Sequence, residues 1–173
     1  LRQVIRSPST SVDLSPSDTF VVPNVVRVRF GFSISMSEDA ETLVVGAFGG
    51  GGRIGFEDDD ESRSRGTSYI FHRSNTDSDS QFSFTQQLAG RSIPGTLQGR
   101  SVSIARGSNG RRIVSGAPYW SDFLGSTRQG RIFYGDHVDG RLGGPLGIPN
   151  TYLDPFPANE SYYGYEVAAS ISG

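Results

Sequence analysis

Cysteine and lysine are both missing from this chain of 173 residues. Without cysteine the chain cannot form disulfides, thiolate metal sites or a cysteine nucleophile, although this absence does not decide the compartment. Without lysine, all 16 basic residues are arginine. Arginine pairs with carboxylates in a bidentate manner, but a biased coding composition explains the same count more simply.

Long apolar runs and an excess of one charge are missing as well. No stretch approaches the roughly 18 apolar residues that a membrane span needs, so no span is expected in this segment. The net charge of −2 and the scattered arginines give no electrostatic case for a nucleic-acid partner. No Gly-x-Ser-x-Gly elbow occurs, and no grouping of His and Asp indicates a catalytic set.

Helix signals are nearly absent, and what remains is the pattern of β-strands. Alternating apolar and polar residues over 30–36 predict a strand with one buried face, and the apolar run over 42–48 predicts a second strand. The acidic turn 37–41 between them suits an antiparallel hairpin. Further strands are predicted at 67–71, 82–88, 98–105, 112–118, 131–134 and 151–153.

The glycine-punctuated hairpin recurs along the chain at a nearly constant interval. Gly31 leads the first copy, Gly99 the second and Gly164 a third that has only begun, 68 (99 − 31) and 65 (164 − 99) residues apart. The second strands of the two full copies end in Gly46-Ala47 and in Gly116-Ala117-Pro118. A fixed interval of this size is the signature of a repeat architecture.

These residues carry a family resemblance. FGFSIS…LVVGAF and QGRSVSIA…IVSGAP resemble FG-GAP repeats, the blades of the integrin-alpha type β-propeller, and YGYEVAAS is similar to the first half of that motif. The likeness covers roughly residues 30–173. Gly116-Ala117-Pro118 is its best match, and Phe48 departs from it in the place of Pro118. The resemblance implies an all-β fold of four-stranded antiparallel propeller blades, incomplete at about two and a half blades.

The resemblance also implies a division of the chain. Residues 1–29 are expected to form a linker or arm with a possible outer strand of a preceding blade, and residues 162–173 the truncated start of a third blade. The two full blades are expected at 30–96 and 97–161. Propellers close with about four to eight blades, and an open set exposes sheet faces and edges. The chain begins at Leu1, and we expect a fragment completed by further blades of the same polypeptide or by a neighbouring chain.

In such a fold, steric crowding explains why these positions hold glycine. A side chain at Gly31, Gly99 or Gly164 is expected to collide with the neighbouring blade, because these positions lie on strands crowded around the central channel. Small residues let the backbone turn tightly at the ends of the second strands, and proline stops strand pairing there. The positions concerned at these ends are Gly46, Ala47, Gly116, Ala117 and Pro118.

No calcium site or other cofactor is expected. Many FG-GAP proteins bind calcium in the first hairpin of a blade through the loop Asp-x-Asp-x-Asp-Gly-x-x-Asp, whose oxygen ligands suit a hard cation. The hairpins of this chain are too short for that loop, and neither copy has the aspartates at its ligand positions. Those positions are Ile34, Met36, Glu38 and Thr42 in the first copy and Ile104, Arg106, Ser108 and Arg112 in the second.

Two loops are candidates for contact with a partner. Residues 119–124 hold three aromatic side chains, including the only tryptophan, and exposed aromatics of this kind anchor interfaces. Packing against the blade edge or the next blade is an equally good interpretation. The resemblance places this loop on one propeller face with the loop 49–65. The predicted contact residues are Arg53, Phe56, Tyr119, Trp120, Asp122 and Phe123.

The resemblance implies a non-enzymatic module for interaction or adhesion, with a protein or glycan partner and an extracellular or cell-surface location. Two alternatives stay open. The propeller could be appended to an enzyme whose catalytic domain lies outside this chain, or it could be an architectural subunit of a large assembly in which neighbours complete the set of blades.

Overall fold

A computed structural model of the chain contains only β-strands as regular structure within the part that it describes, which confirms the all-β prediction. No helix in this part is long and apolar enough to cross a membrane. The described residues are 3–5, 29–49, 66–74, 80–88, 96–107, 110–120, 129–138, 141–143, 150–153 and 162–170.

The first sheet has four antiparallel strands that follow one another in chain order. They are β1 (Phe30–Met36), β2 (Thr42–Ala47), β3 (Thr67–His72) and β4 (Ser83–Leu88). The predicted bounds of β1 are confirmed at both ends, because alternation is a local signal. The predicted buried face is wrong for this strand, since none of its residues is buried and Ile34 and Met36 are exposed. The predicted second strand is one residue too long, since Phe48 already lies in a turn.

The second sheet repeats this order and then departs from it. Its strands are β5 (Val102–Gly107), β6 (Gly110–Ala117), β7 (Arg131–Val138), β8 (Arg141–Gly143) and β9 (Asn150–Leu153). Both β8 and β9 pair with β7, at residues 136–138 and 131–134 respectively. Two short strands therefore occupy the place that β4 holds in the first sheet. The sequence predicted β9 and missed β8.

The predicted inner strand at 98–105 starts too early. Gln98 forms only an isolated bridge to Gly66, and the regular strand begins at Val102. The turn before β5, with φ of 51° at Leu97 and 82° at Gly99, has nearly the same φ angles as the turn before β1. The two strands start at different places because Phe30 pairs with Ala47 of β2, whereas the pairing of β5 with β6 begins only at Val102.

The main core lies between the two sheets. Sheet 1 contributes Val44, Ile70 and Leu88, and sheet 2 contributes Val102, Ile104, Ile113, Ala117, Trp120 and Phe133. Full burial of one such aliphatic or aromatic side chain stabilises the fold by about 1.5–3 kcal/mol. The two sheets are thus held face to face, and they do not close into a ring.

A second apolar cluster lies on the opposite face of sheet 1, which we call the outer face. Val45, Ala47, Tyr69 and Phe71 are buried there. Ile5 packs against this cluster. The segment 3–5 is held by Gln3, whose side chain exchanges two hydrogen bonds of 2.8 Å with the backbone of Phe82.

Candidate functional site

The leading glycine of each copy lies in the same tight turn. The φ angles are 87° at Gly31, 82° at Gly99 and 87° at Gly164, which glycine adopts without a steric cost. Two residues earlier, Arg29, Leu97 and Tyr162 have φ of 48°, 51° and 51°. The carbonyl of that earlier residue accepts a hydrogen bond from the N–H that follows the glycine, at 3.2, 3.2 and 3.0 Å. The three copies share one backbone geometry.

Glycines also lie where one copy touches the next. A Cβ on Gly46 would overlap the carbonyl oxygen of Gly99, and a Cβ on Gly116 would overlap that of Gly164. No larger residue fits at either contact. The collision expected at Gly31 is absent, because a Cβ there meets no atom within 4 Å. Nothing in the described part of the chain packs on that side of Gly31.

Serine side chains join consecutive copies. Ser33 Oγ donates to the carbonyl of Gly99 at 2.9 Å, and Ser101 Oγ donates to that of Gly164 at 3.3 Å. Two positions further on, Ser35 Oγ accepts a hydrogen bond from the N–H of Ile104 and Ser103 Oγ accepts one from that of Ala169. The boundary between copies one and two is therefore built like the boundary between copies two and three.

The residues that directly follow the three glycines stack on one another. The guanidinium carbon of Arg100 lies 4.9 Å from the ring centre of Phe32 and 4.3 Å from that of Tyr165. Arg100 also donates a hydrogen bond to the Tyr165 hydroxyl. We call these three residues the Arg100 stack. The ring of Phe48 packs edge to face against that of Phe32, with the ring centres 4.5 Å apart.

The Arg100 stack combines exposure with the side chains that dominate binding interfaces. Phe32 and Tyr165 are both exposed although they are large and apolar, and aromatic and arginine residues are enriched among hot spots. An exposed cation–π contact contributes only about 0.5–1 kcal/mol, so the fold alone gives little reason for the stack. The edge of a guanidinium between two rings can pair with a carboxylate, and the exposed rings beside it can stack on a flat or sugar ligand.

The Arg100 stack was not predicted from the sequence. The signal was available, since Phe32, Arg100 and Tyr165 occupy one repeat position in three copies. A search for equivalent positions along the repeat would have brought them together.

The stack lies at one end of the two sheets, which we call the glycine end. There β2 ends at Ala47 and β3 begins at Thr67, while β6 ends at Ala117 and β7 begins at Arg131. The two loops with predicted contact residues leave the sheets at this end. Arg53, Phe56, Asp122 and Phe123 themselves lie outside the described residues.

Tyr119 and Trp120 are the two predicted contact residues that the structure describes. Tyr119 is half-buried, with its ring centre 5.2 Å from that of Tyr162. Trp120 is 7% exposed and belongs to the core between the sheets. The guanidinium carbon of Arg131 lies 3.4 Å from the centre of the indole. The burial of Trp120 matches the packing interpretation that the sequence left open.

The opposite end of the sheets, the hairpin end, carries an ion-pair cluster. Arg111 of the second hairpin lies 2.5 Å from carboxylate oxygens of both Asp39 and Glu41 in the first hairpin. Partial burial disfavours the charged form of Asp39, but hydrogen bonds, that from Arg111 foremost, outweigh this and lower its pKa from 3.8 to about 2. The cluster ties the two hairpins together.

Metal-binding groups are not found among the residues that the structure describes, where no three His, Asp or Glu side chains lie close enough to share an ion. The residues of the first copy at which calcium ligands would be expected by resemblance are placed apart. Ile34 and Met36 are exposed on the outer face of sheet 1, and Thr42 is buried beside His72.

Comparisons with known proteins give no identification. No protein-family model matches the chain, and no curated protein shows a significant match to it.

Proposed function

We propose that the chain is a portion of an FG-GAP type β-propeller and acts as a non-enzymatic interaction module for a protein or glycan, outside the cytoplasm. The observation that carries the proposal is the repetition of one boundary. The hydrogen bond from Ser33 to Gly99 recurs from Ser101 to Gly164. Successive sheets related by one repeated contact are what a ring of sheets requires.

The glycine end is the proposed contact surface. Repeat folds hold their loops on a rigid scaffold, and loops held in this way commonly carry binding function. The Arg100 stack adds a half-buried cation and two exposed rings to the end from which the loops 49–65 and 121–128 leave. A partner with carboxylates, aromatic groups or sugar rings suits this combination.

A binding screen tests the proposal. The 173-residue chain would be applied to a glycan array and to a panel of purified extracellular proteins, and any ligand found would then be measured with Phe32→Ala and Tyr165→Ala. We expect each change to lower the affinity by about 30-fold, since truncating a hot-spot residue costs about 2 kcal/mol.

The matched control is Glu38→Ala, an exposed residue at the hairpin end, which should leave the affinity unchanged. An affinity that is insensitive to both aromatic changes, or that falls equally with Glu38→Ala, would contradict the proposed contact surface.

An architectural role is the second candidate, and the outer face of sheet 1 favours it. Ile34, Met36 and Phe84 are large apolar side chains that are exposed there. Exposed apolar patches mark interaction sites. The mass of the chain under native conditions tests this role, because a stable monomer of this length argues against a subunit that neighbours must complete.

A further inference from the structure

The guanidinium of Arg100 has aromatic partners but no carboxylate partner among the residues that the structure describes. It lies between the rings of Phe32 and Tyr165 and donates one hydrogen bond, to the Tyr165 hydroxyl. A guanidinium carries five N–H donors in a planar fork. Several donors of Arg100 are therefore left for a ligand at its edge.

The hairpin end shows the contrast, because arginines there are matched with acids of the chain itself. Arg111 contacts Asp39 and Glu41, and Arg112 lies 2.8 Å from Asp136. Arg100 is half-buried, so it has already lost part of its hydration. A carboxylate that reaches a partly desolvated guanidinium gains more than one that pairs with a fully exposed cation.

The surroundings of Arg100 also favour an anion. The guanidinium carbons of Arg29 and Arg100 lie 4.6 and 5.4 Å from the ring centre of Phe48, and the fields of two cations beside one ring add. The acid next to the stack in sequence is Glu166. It holds the repeat position of Ser33, whose side chain reaches toward the next copy, so we expect it to point away from the stack.

The two rings narrow down what carries the carboxylate. Phe32 is 52% and Tyr165 is 44% exposed, so each offers part of its surface beside the guanidinium. The face of an aromatic ring is electron-rich, so it repels a carboxylate and attracts C–H groups. A sugar ring presents such C–H groups on its apolar face. An Asp or Glu side chain brings the carboxylate with only a short aliphatic part.

We propose that the Arg100 stack binds an acidic sugar, a sialic or uronic acid unit of a glycan, by the carboxylate attached to its ring. The inference rests on the proposed interaction function and specifies its ligand. Arg100 donates two parallel N–H bonds to the carboxylate, while the apolar face of the sugar packs on Phe32 or Tyr165. The hydrogen bond to the Tyr165 hydroxyl holds the guanidinium in place.

The test compares each acid with a neutral sugar of the same shape. Trigalacturonic acid and its methyl ester, sialyllactose and lactose are titrated into the 173-residue chain by isothermal titration calorimetry. Triglutamate serves as an acidic peptide. We expect the acids to bind about 30-fold more tightly than their neutral counterparts, because hydrogen bonds between charged groups are the strong ones. The comparison of ligands needs no variant, so it does not depend on how a mutant folds.

Variants then assign the roles within the stack. Arg100→Met should abolish the preference for acid over ester, and Phe32→Ala should weaken both ligands by about the same factor, since stacking does not need the charge. Arg100→Lys keeps the charge but loses the planar fork, so only a several-fold preference should remain. The matched control is Arg106→Met, an exposed arginine near the hairpin end of β5, which should keep the full preference. Thermal unfolding checks that each variant is folded.

Several results would overturn the inference. They are the absence of binding by both acids, equal affinity for acid and ester, and a preference that survives Arg100→Met or falls equally with Arg106→Met. Tighter binding of triglutamate than of the acidic sugars would identify an acidic protein segment as the ligand. A ligand of another class that is lost with Phe32→Ala and Tyr165→Ala would contradict this inference alone and leave the proposed contact surface in place.

Discussion

The hydroxyl of Ser35 accepts a hydrogen bond of 3.1 Å from the backbone N–H of Ile104, so a side chain of sheet 1 satisfies an edge strand of sheet 2. Ser103 accepts an equivalent hydrogen bond of 2.9 Å from the N–H of Ala169, which lies outside any strand. An unpaired N–H at a sheet edge is a liability for a β-protein. The serines remove that liability and fix the position of each copy against the next.

Replacing Ser35 by alanine should lower the free energy of unfolding by about 1 kcal/mol, because the partly buried N–H of Ile104 then loses its partner. Urea denaturation measures the change. Ser83→Ala, at an exposed position of β4, is the control and should stay within about 0.5 kcal/mol of the unmodified chain. If both variants lost the same unfolding free energy, the hydrogen bond between Ser35 and Ile104 would not contribute to stability.

Gly46→Ala should destabilise the protein by about 3 kcal/mol or more, since the added methyl group overlaps the backbone of Gly99 and the sheets must separate. Gly31→Ala has free space for the methyl group and costs only the strain of an alanine at positive φ, about 1–2 kcal/mol. Thermal unfolding of both variants tests this order. If Gly31→Ala destabilised the protein more than Gly46→Ala, the two copies would not be in close contact at Gly46.

Acid should weaken the contact between the hairpins. Since the pKa of Asp39 is lower in the folded chain than its ordinary value of 3.8, its contribution is fully present above about pH 4 and is lost as the pH falls toward 2. The carboxylate is half exposed, so screening limits the loss to about 0.5–1 kcal/mol.

The pH effect is measured as the unfolding free energy of Asp39→Asn relative to the unmodified chain. The difference should be present at neutral pH and shrink at about pH 2, where Asp39 is partly protonated. Glu38→Gln, in the same turn, is the matched control. A difference that stays constant between the two pH values would show that Asp39 does not titrate with the lowered pKa.

Trp120 gives a test without any mutation. As the only tryptophan, and one that is buried between the sheets, it should show blue-shifted fluorescence that acrylamide quenches poorly in the folded chain and strongly after unfolding. Emission like that of indole in water from the folded chain would instead support an exposed anchor for a partner.

The strand pattern was largely predictable, because alternation, turn residues and glycine spacing act over short distances. The bounds of β1 and the order of β1 to β4 follow from such signals. The start of β5 was placed four residues too early, since nothing local reveals that Gln98 bridges to Gly66 and does not pair with β6. The strand β8 was missed because its three residues, Arg141–Gly143, are too few to show a period.

The candidate site was less predictable than the fold. The sequence drew attention to the aromatic loop that begins at Tyr119, and the structure places Trp120 from it in the core. The Arg100 stack joins side chains 68 and 65 positions apart, so its members meet only through the stacking of copies. Equal repeat positions were visible in the sequence, but their physical contact was not.

The sequence by itself determined that the chain forms β-sheets and that one hairpin recurs, because residue alternation and glycine placement are properties of neighbouring residues. The tertiary structure alone decided which residues of different copies touch, as Ser35 touches Ile104 and Arg111 touches Asp39. It also decided that Val102 is buried while its counterpart Ile34 is exposed. The physical reason is that burial depends on which element packs against a face. The residues of a strand do not by themselves determine which element that is.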